Sequence, residues 1–213
     1  MQCPMKICQS YFMKYNLAII TLLLIIFIWL FKLNQAWFYK INSMHSILPI
    51  QIWEALNFIS YTKFAILPII LLSLSFFFCK NKLINVILLI VIFYAFFYGL
   101  KILIAEPRPY IVLPSDSFFW LNQFEDSSKS AYKSFPSGHT GNAAVFVFSL
   151  IQLFFAKAPF IKILLFIFLL LVGLSRICTG WHWPIDVLAS GLIGYILVKI
   201  CLSLELNKLK SSL

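Results

Sequence analysis

Six apolar runs with very few charged residues constrain the fold of this chain more than any other feature of its sequence. They cover residues 17–31, 64–79, 83–104, 140–155, 159–175 and 184–202. A helix of about 20 apolar residues crosses the hydrocarbon core of a bilayer, and shorter runs can use flanking residues. Only 11% of the 213 residues are charged, too few to cover a surface that faces water. We therefore predict an all-α integral membrane protein, a bundle of six transmembrane helices that forms one membrane-embedded domain over residues 1–213.

The basic residues predict how this bundle is inserted. The formal net charge is +10, an excess typical both of nucleic-acid-binding proteins and of cytoplasmic loops in membrane proteins. Here the lysines are scattered among the apolar runs, so we predict no nucleic-acid partner. If the short turns 80–82 and 157–162 and both termini are cytoplasmic, that side carries a net charge of +8 and the other side +2. We predict this orientation, with the long connections 32–63 and 105–139 outside.

Three further features of the sequence bear on how the chain lies in the membrane and on its cysteines. The first apolar run follows two lysines like a signal sequence, but no small-residue cleavage site follows it, which predicts an uncleaved anchor. Residues 36–58 mix aromatic, aliphatic and charged side chains, which is typical of interfacial helices along the outer leaflet or of a linker with aromatic anchors. The five cysteines form no CxxC pair, so we expect no structural disulfide.

The sequence Pro-Ser-Gly-His at 136–139 closes a polar loop and opens the fourth apolar run. A small, hydroxyl-bearing turn at a helix start leaves backbone N–H groups at the positive end of the helix dipole, where an oxyanion such as phosphate binds well. His139 adds a group that can give up a proton. The alternative interpretation is an ordinary helix N-cap.

Two other polar clusters lie at the ends of apolar runs. Lys101 and Arg108 end the third run, where they could bind an anionic headgroup, or where Lys101 could extend toward the interface and Arg108 pair with Glu106. Before the last run, His182 precedes Asp186 by four residues. The carboxylate could orient the imidazole as in a catalytic triad, or simply favour the start of a helix.

The number of spans predicts that these clusters meet. In a six-span bundle, the connections between the third and fourth helices and between the fifth and sixth open on the same face. Three cations, two histidines, a Ser-Gly turn and one aspartate would then share one face of a bundle that is otherwise nearly free of charge. Ionisable groups at membrane depth more often serve function than structure.

Together these segments resemble the three-part signature of the type 2 phosphatidic acid phosphatase superfamily of membrane lipid phosphatases. The matching segments are 101–109, with Lys101 and Arg108-Pro109, 136–139, and 175–186, with Ser175-Arg176, His182 and Asp186. The resemblance implies that His182 is a nucleophile that forms a phosphohistidine, that Asp186 orients it and that His139 protonates the leaving group. It also implies a set of residues that bind the phosphoryl oxygens, namely Lys101, Arg108, Ser137, Gly138, Arg176 and Ser175.

The resemblance further implies a phosphatase without metal or other cofactor, acting on a lipid phosphate or diphosphate at the periplasmic face of a bacterial inner membrane. Substrates of related enzymes include undecaprenyl diphosphate, phosphatidylglycerol phosphate, phosphatidic acid and lipid A. Two alternatives stay open from the residues. One is a metal-dependent hydrolase that uses His139, His182 and Asp186, although the flanking cations would repel a metal. The other is a lipid-phosphate carrier or flippase, although the chain lacks the duplicated halves typical of transporters. No oligomeric state is predicted.

Overall fold

The computed structural model describes residues 5–121 and 127–204, and in this part of the chain the regular structure is entirely helical. Two 3₁₀ turns, Ser43–Ile47 and Lys80–Lys82, lie among the α-helices. The helices are α1 (Met5–Leu30), α2 (Asn34–Asn42), α3 (Ile50–Ser60), α4 (Ile66–Phe78), α5 (Leu83–Ile104), α6 (Pro109–Val112), α7 (Ser127–Ser130), α8 (Gly138–Leu153), α9 (Pro159–Cys178) and α10 (Pro184–Ser203). The all-helical fold predicted from the sequence is therefore confirmed.

Each of the six apolar runs forms a helix, but not every one is long enough to cross a bilayer. Three stretches pass by length and hydropathy, Lys80–Val112, Pro159–Cys178 and Pro184–Ser203. A fourth would be the pair Ala18–Leu30 and Asn34–Ile47, which bends by 107° at its break. Helix α4 has only 13 residues, which gives about 20 Å of rise against a core of about 30 Å. The described part of the chain thus has three or four candidate spans, and the count of six stays a prediction.

The segment 36–58 is helical rather than an irregular linker. It forms α2, the turn Ser43–Ile47 and α3, and α3 packs against α8 and α9. Trp53 is buried in this contact, and its indole N–H donates to the carbonyl of His45 at 2.7 Å. Two non-glycine residues, Lys32 and Ala65, adopt positive φ in the connections around this segment. Its position in the outer leaflet remains a prediction.

Helices α8 and α10 form the most extensive contact of the bundle, because small residues line it. A Cβ added to Gly194 of α10 would lie 2.7 Å from the Cβ of Ala144 and 3.4 Å from the carbonyl oxygen of Gly141. Helices in membranes approach this closely where glycine and alanine face each other, because dispersion contacts replace the hydrophobic effect. The backbones of the two helices are thus close enough that no larger side chain fits between them at Gly194.

The last carbonyl groups of α10 are capped by the start of α5. The Asn85 side chain donates to the carbonyls of Cys201, at 2.8 Å, and Leu204, at 3.0 Å. The Lys82 ammonium donates to the carbonyl of Leu202 at 3.1 Å. A helix end without such donors would leave carbonyl groups unsatisfied. This end of the bundle lies opposite the ends of α5 and α9 that carry Lys101 and Arg176.

Some sequence-based predictions fall partly outside the described part of the chain. Cys79, Cys178 and Cys201 are free thiols, whereas Cys3 and the side chain of Cys8 lie outside it. The same holds for residues 122–126 of the polar loop and for the C-terminal lysines that entered the charge count.

We predict that Gly194→Ala lowers the free energy of unfolding of the purified protein by about 1–3 kcal/mol, and with it the melting temperature, because the added methyl group forces α8 and α10 apart. Gly191→Ala on the same helix is the matched control, since a Cβ there meets no atom within 4 Å. It should be neutral or slightly stabilising, because alanine favours helix. Thermal unfolding in one detergent measures both, and equal melting temperatures for the two variants would contradict the prediction.

Candidate active site

The polar residues predicted to converge lie where four helices end or begin. Helices α5 and α9 end there, and α8 and α10 start there. The two connections that follow α5 and α9 are joined directly, since the backbone N–H of Leu121 donates to the carbonyl of Thr179 at 3.1 Å. Arg108 of the first connection also donates through Nη1 to the carbonyl of Trp181 in the second, at 2.9 Å. The structure therefore brings segments 101–109, 136–139 and 175–186 together.

His182 lies at the centre of this cluster, with both ring nitrogens occupied. Nδ1 is 3.3 Å from Oδ2 of Asp186, and Nε2 is 3.2 Å from Nη1 of Arg108. An arginine can only donate, so Nε2 must present its lone pair to Arg108, and Nδ1 must then carry the proton that Asp186 accepts. These two contacts define one neutral tautomer, with the lone pair on the nitrogen that faces the cation.

The surroundings of His182 favour its neutral form. Burial lowers the pKa of the His182 imidazole well below its usual range, and the positive charges of Arg108, Lys101 and Arg176, with a smaller effect of His139, lower it further. Both causes penalise the protonated ring. At neutral pH the lone pair on Nε2 is therefore not lost to a proton.

Asp186 is held by donors around a single carboxylate oxygen. The backbone N–H of Trp183 donates to Oδ2 at 3.0 Å and the Ser134 hydroxyl at 2.5 Å, in addition to His182. The contact with Trp183 is a consequence of helix geometry, because Asp186 lies in the first turn of α10, three residues after Trp183. The sequence-based alternatives for Asp186 are thus compatible, since one carboxylate both caps α10 and contacts the imidazole.

Two buried arginines approach the ring of Trp181. The guanidinium carbons of Arg108 and Arg176 lie 5.0 and 5.6 Å from the ring centroid, within the range of cation–π attraction. Arg108 also donates through Nε to the carbonyl of Ser130 at 2.9 Å. These contacts orient the guanidinium groups without neutralising their charge, because a carbonyl group and an indole ring are uncharged. Only 4% of Arg108 and 2% of Arg176 is exposed.

Lys101 contacts the loop that precedes α8. Its ammonium donates to the carbonyls of Lys133, at 2.8 Å, and Pro136, at 2.6 Å. Ser137 is the N-cap of α8, where its hydroxyl oxygen accepts from the backbone N–H of Thr140 at 3.4 Å. The ordinary N-cap interpretation of this motif is therefore confirmed. A capped helix start does not exclude an anion, since other N–H groups of the first turn remain directed outward.

The remaining predicted residues differ in their contacts. Gly138 is half-buried, and a Cβ at this position would lie 3.3 Å from Cγ2 of Thr62. His139 is buried in the first turn of α8, with its ring stacked on Tyr61 at a centroid distance of 5.3 Å. The hydroxyl oxygen of Ser175 lies 3.0 Å from Oδ1 of Asn57 and 2.7 Å from the carbonyl oxygen of Val172, and its one proton is shared between these two acceptors. Ser175 thus ties α9 to α3, beside Arg176 on the chain.

Sequence reasoning missed three residues of this cluster, namely Ser134, Tyr61 and Trp181. Trp181 could have been noticed, because an aromatic residue directly before His182 suits a position next to two buried arginines. Ser134 and Tyr61 carry no such signal, since their contacts depend on how separate segments pack.

No three histidine, cysteine, aspartate or glutamate side chains are grouped so that they could hold a metal ion, within the residues that the structure describes. The side chains around His182 are mainly cationic, and such a donor set suits an anion. A metal site built from His139, His182 and Asp186 therefore finds no support in the geometry.

Comparisons with known proteins agree on one family. The family profile described as the PAP2 superfamily matches residues 82–210. Among solved structures, LpxE of Aquifex aeolicus is 29% identical, with a TM-score of 0.65, over 81% of this chain and 96% of that protein. A transmembrane PAP2-type phosphatidylglycerolphosphate phosphatase from Bacillus subtilis is 23% identical, with a TM-score of 0.59, over 86% of this chain and 93% of that protein. At this level of identity, the similarity to the Bacillus subtilis protein shows a shared fold and nothing about activity. No curated protein matches the sequence.

We predict that Arg108→Met raises the pKa of His182, because it removes the largest of the positive charges that lower it. Arg108→Lys keeps a charge at this position and should leave the pKa closer to that of the unmodified protein. Titration of ¹³C-labelled histidine by NMR in detergent micelles measures both. An unchanged His182 pKa in Arg108→Met would contradict the prediction.

Proposed function

This chain belongs to the PAP2 superfamily, and we propose that it is a membrane-embedded phosphatase that removes phosphate from a lipid phosphate or diphosphate through a phosphohistidine intermediate. The observation that carries the proposal is the pair of contacts of His182, with Asp186 at one ring nitrogen and Arg108 at the other. A neutral imidazole with an oriented lone pair beside a buried cation is suited to attack a phosphorus atom whose oxygens that cation binds.

In the first step, Nη1 of Arg108 transfers its hydrogen bond from Nε2 of His182 to a phosphoryl oxygen. The freed lone pair of Nε2 attacks phosphorus while the bond between phosphorus and the leaving oxygen breaks. The proton stays on Nδ1, where it is hydrogen-bonded to Asp186, and the negative charge of Asp186 stabilises the cationic ring that forms.

Burial lowers the pKa of the His139 imidazole, and the charges of Arg176, Arg108 and Lys101 lower it further. The negative phosphate group bound beside these cations offsets their charge, so His139 takes up a proton with the substrate and gives it to the leaving oxygen. In the second step, water attacks phosphorus, His139 takes the proton of this water and the P–N bond breaks to release phosphate and restore His182.

Charge stabilisation would come from the protein itself. The transition state spreads negative charge over three equatorial oxygens, and we assign their binding to Arg108, Arg176, Lys101 and the start of α8 at Ser137 and Gly138. These groups would supply the positive charge that Mg²⁺ supplies in many other phosphoryl-transfer enzymes, so we propose that turnover requires no metal. Removal of one such charged contact should cost about 10²–10³ in rate. Ser175 would act indirectly, by holding the end of α9 against Asn57.

The substrate is proposed by class, as a phosphate group on a membrane lipid. The proposed site residues lie at one end of helices that are apolar enough to be candidate spans, which supports a substrate whose headgroup enters there while its tails remain in the bilayer. Phosphatidic acid, phosphatidylglycerol phosphate, undecaprenyl diphosphate and lipid A are the substrates to test. We further propose a bacterial inner membrane as the location, with both termini cytoplasmic and the site facing the periplasm.

We expect the purified protein to release inorganic phosphate from at least one of these lipids in detergent, with no loss of activity in EDTA. His182→Ala should abolish release, because no nucleophile remains. His45→Ala is the matched control. This third histidine lies in the turn Ser43–Ile47, where its ring stacks on that of Phe119, and it has no role in the proposed mechanism. The variant should retain activity within about threefold.

This experiment also distinguishes an enzyme from a carrier. A flippase that holds lipid phosphate without cleaving it would release none, and His182→Ala would leave its lipid movement between leaflets intact. Loss of turnover in EDTA, restored by a divalent metal, would contradict the metal-independent mechanism.

The orientation predicts which positions a membrane-impermeant maleimide can reach in intact cells. In a cysteine-free background, a cysteine at exposed Ser128, on the side of the site, should be labelled from outside. A cysteine at exposed Lys157, in the turn between α8 and α9, should be labelled only after lysis. The reverse pattern would invert the proposed topology.

A further inference from the structure

Ser134 lies outside all three signature segments, yet its side chain contacts the proposed catalytic groups. It precedes Pro136 by two residues in the loop before α8, and it is completely buried. Its hydroxyl donates to Oδ2 of Asp186 at 2.5 Å, the shortest of the three contacts to this oxygen. A hydrogen bond to a buried carboxylate is among the stronger hydrogen bonds in proteins.

The contact with Ser134 has a different origin from the other two contacts of Asp186. His182 and Trp183 precede Asp186 by four and three residues, so their positions depend largely on how α10 begins. Ser134 comes from a segment 52 residues away. It therefore orients the carboxylate relative to the rest of the cluster, which the local turn cannot do.

The loop that carries Ser134 is fixed from the first signature segment. The backbone N–H of Ser134 donates to the carbonyl of Glu106 at 3.0 Å. The carbonyls of Lys133 and Pro136, on either side of Ser134, both accept from the ammonium of Lys101. Segment 101–109 thus holds Ser134, Ser134 holds Asp186, and Asp186 contacts His182.

We propose that Ser134 is a positioning residue for phosphoryl transfer, which acts through Asp186 to keep the nucleophilic nitrogen of His182 directed at phosphorus. This inference rests on the proposed function. Ser134 does not itself contact the substrate, so its loss should slow the chemical step and leave substrate binding nearly unchanged. The expected effect is a decrease in kcat of about 10- to 100-fold, the factor that corresponds to one hydrogen bond to a charged group.

The test compares Ser134→Ala with Ser190→Ala. Ser190 is also completely buried and also donates to Asp186 at 2.5 Å, but to its backbone carbonyl rather than to its carboxylate. Both variants remove one buried hydroxyl bonded to the same residue. We expect Ser134→Ala to lower kcat with KM changed less than about threefold, and Ser190→Ala to keep kcat within about threefold of the unmodified protein.

A double-mutant cycle supplies a readout that a general structural role would not change. In an Asp186→Ala background, Ser134→Ala should cause no further loss of phosphate release, because the group it positions is gone. If Ser134→Ala fails to fold, as judged by size-exclusion chromatography, Ser134→Cys takes its place. A thiol is close in size but a weak donor, so we expect a decrease in kcat of about tenfold.

Three results would overturn the inference while phosphatase activity of the unmodified protein is intact. The first is a wild-type kcat in the folded Ser134 variant. The second is a decrease in kcat/KM that comes from a higher KM with kcat unchanged. The third is an equal decrease of kcat in Ser190→Ala. An unmodified protein that cleaves none of the lipid phosphates would instead refute the proposed function, so the two failures are distinguishable.

Discussion

The interaction on which the rest of this structure depends is the contact between polar or charged side chains and backbone carbonyls at one end of an apolar bundle. Arg108, Lys101 and Trp181 all donate to carbonyl oxygens of loop residues. Charged and polar groups removed from water destabilise a protein unless hydrogen bonds replace those with water. The loops at this end therefore have a specific shape because their carbonyls must face inward, toward the cationic cluster.

This requirement explains why the first third of the chain matters to a site whose signature begins only at Lys101. The side chain of Asn42, at the end of α2, donates to the carbonyls of Phe119, Ile177 and Cys178 at 2.8–3.1 Å and accepts from the N–H of Phe119 at 2.8 Å. It joins the loop after α5 to the end of α9, next to Arg176. Asn34 similarly accepts from the N–H of Ile185 at the start of α10. The early helices thus stabilise the loops from outside the cluster.

Features that depend on residues close together in the chain could be predicted from the sequence, whereas features that depend on contacts between distant segments could not. The apolar runs predicted the helices because burial in lipid requires long uninterrupted apolar stretches, and the spacing in 101–109 and 175–186 located the polar cluster. The number of spans could not be derived as surely, because a helix as short as α4 does not reveal its depth in the membrane. Ser134, Tyr61 and Asn42 stayed unnoticed because each acts through contacts with distant segments, which no periodicity encodes.

The contact of α8 with α10 through Gly194, Ala144 and Gly141 has a consequence for how such a protein can change over evolutionary time. His139 is the second residue of α8 and His182 lies two residues before α10, so backbone contact, rather than adjustable side chains, sets the spacing of the two imidazoles. The neighbouring contact of Tyr110 in α6 with Trp120, whose ring centroids lie 4.8 Å apart, is by contrast made by side chains alone. Side chains can therefore be exchanged at that contact without moving a helix, whereas a larger residue at Gly194 would change the spacing of the two histidines.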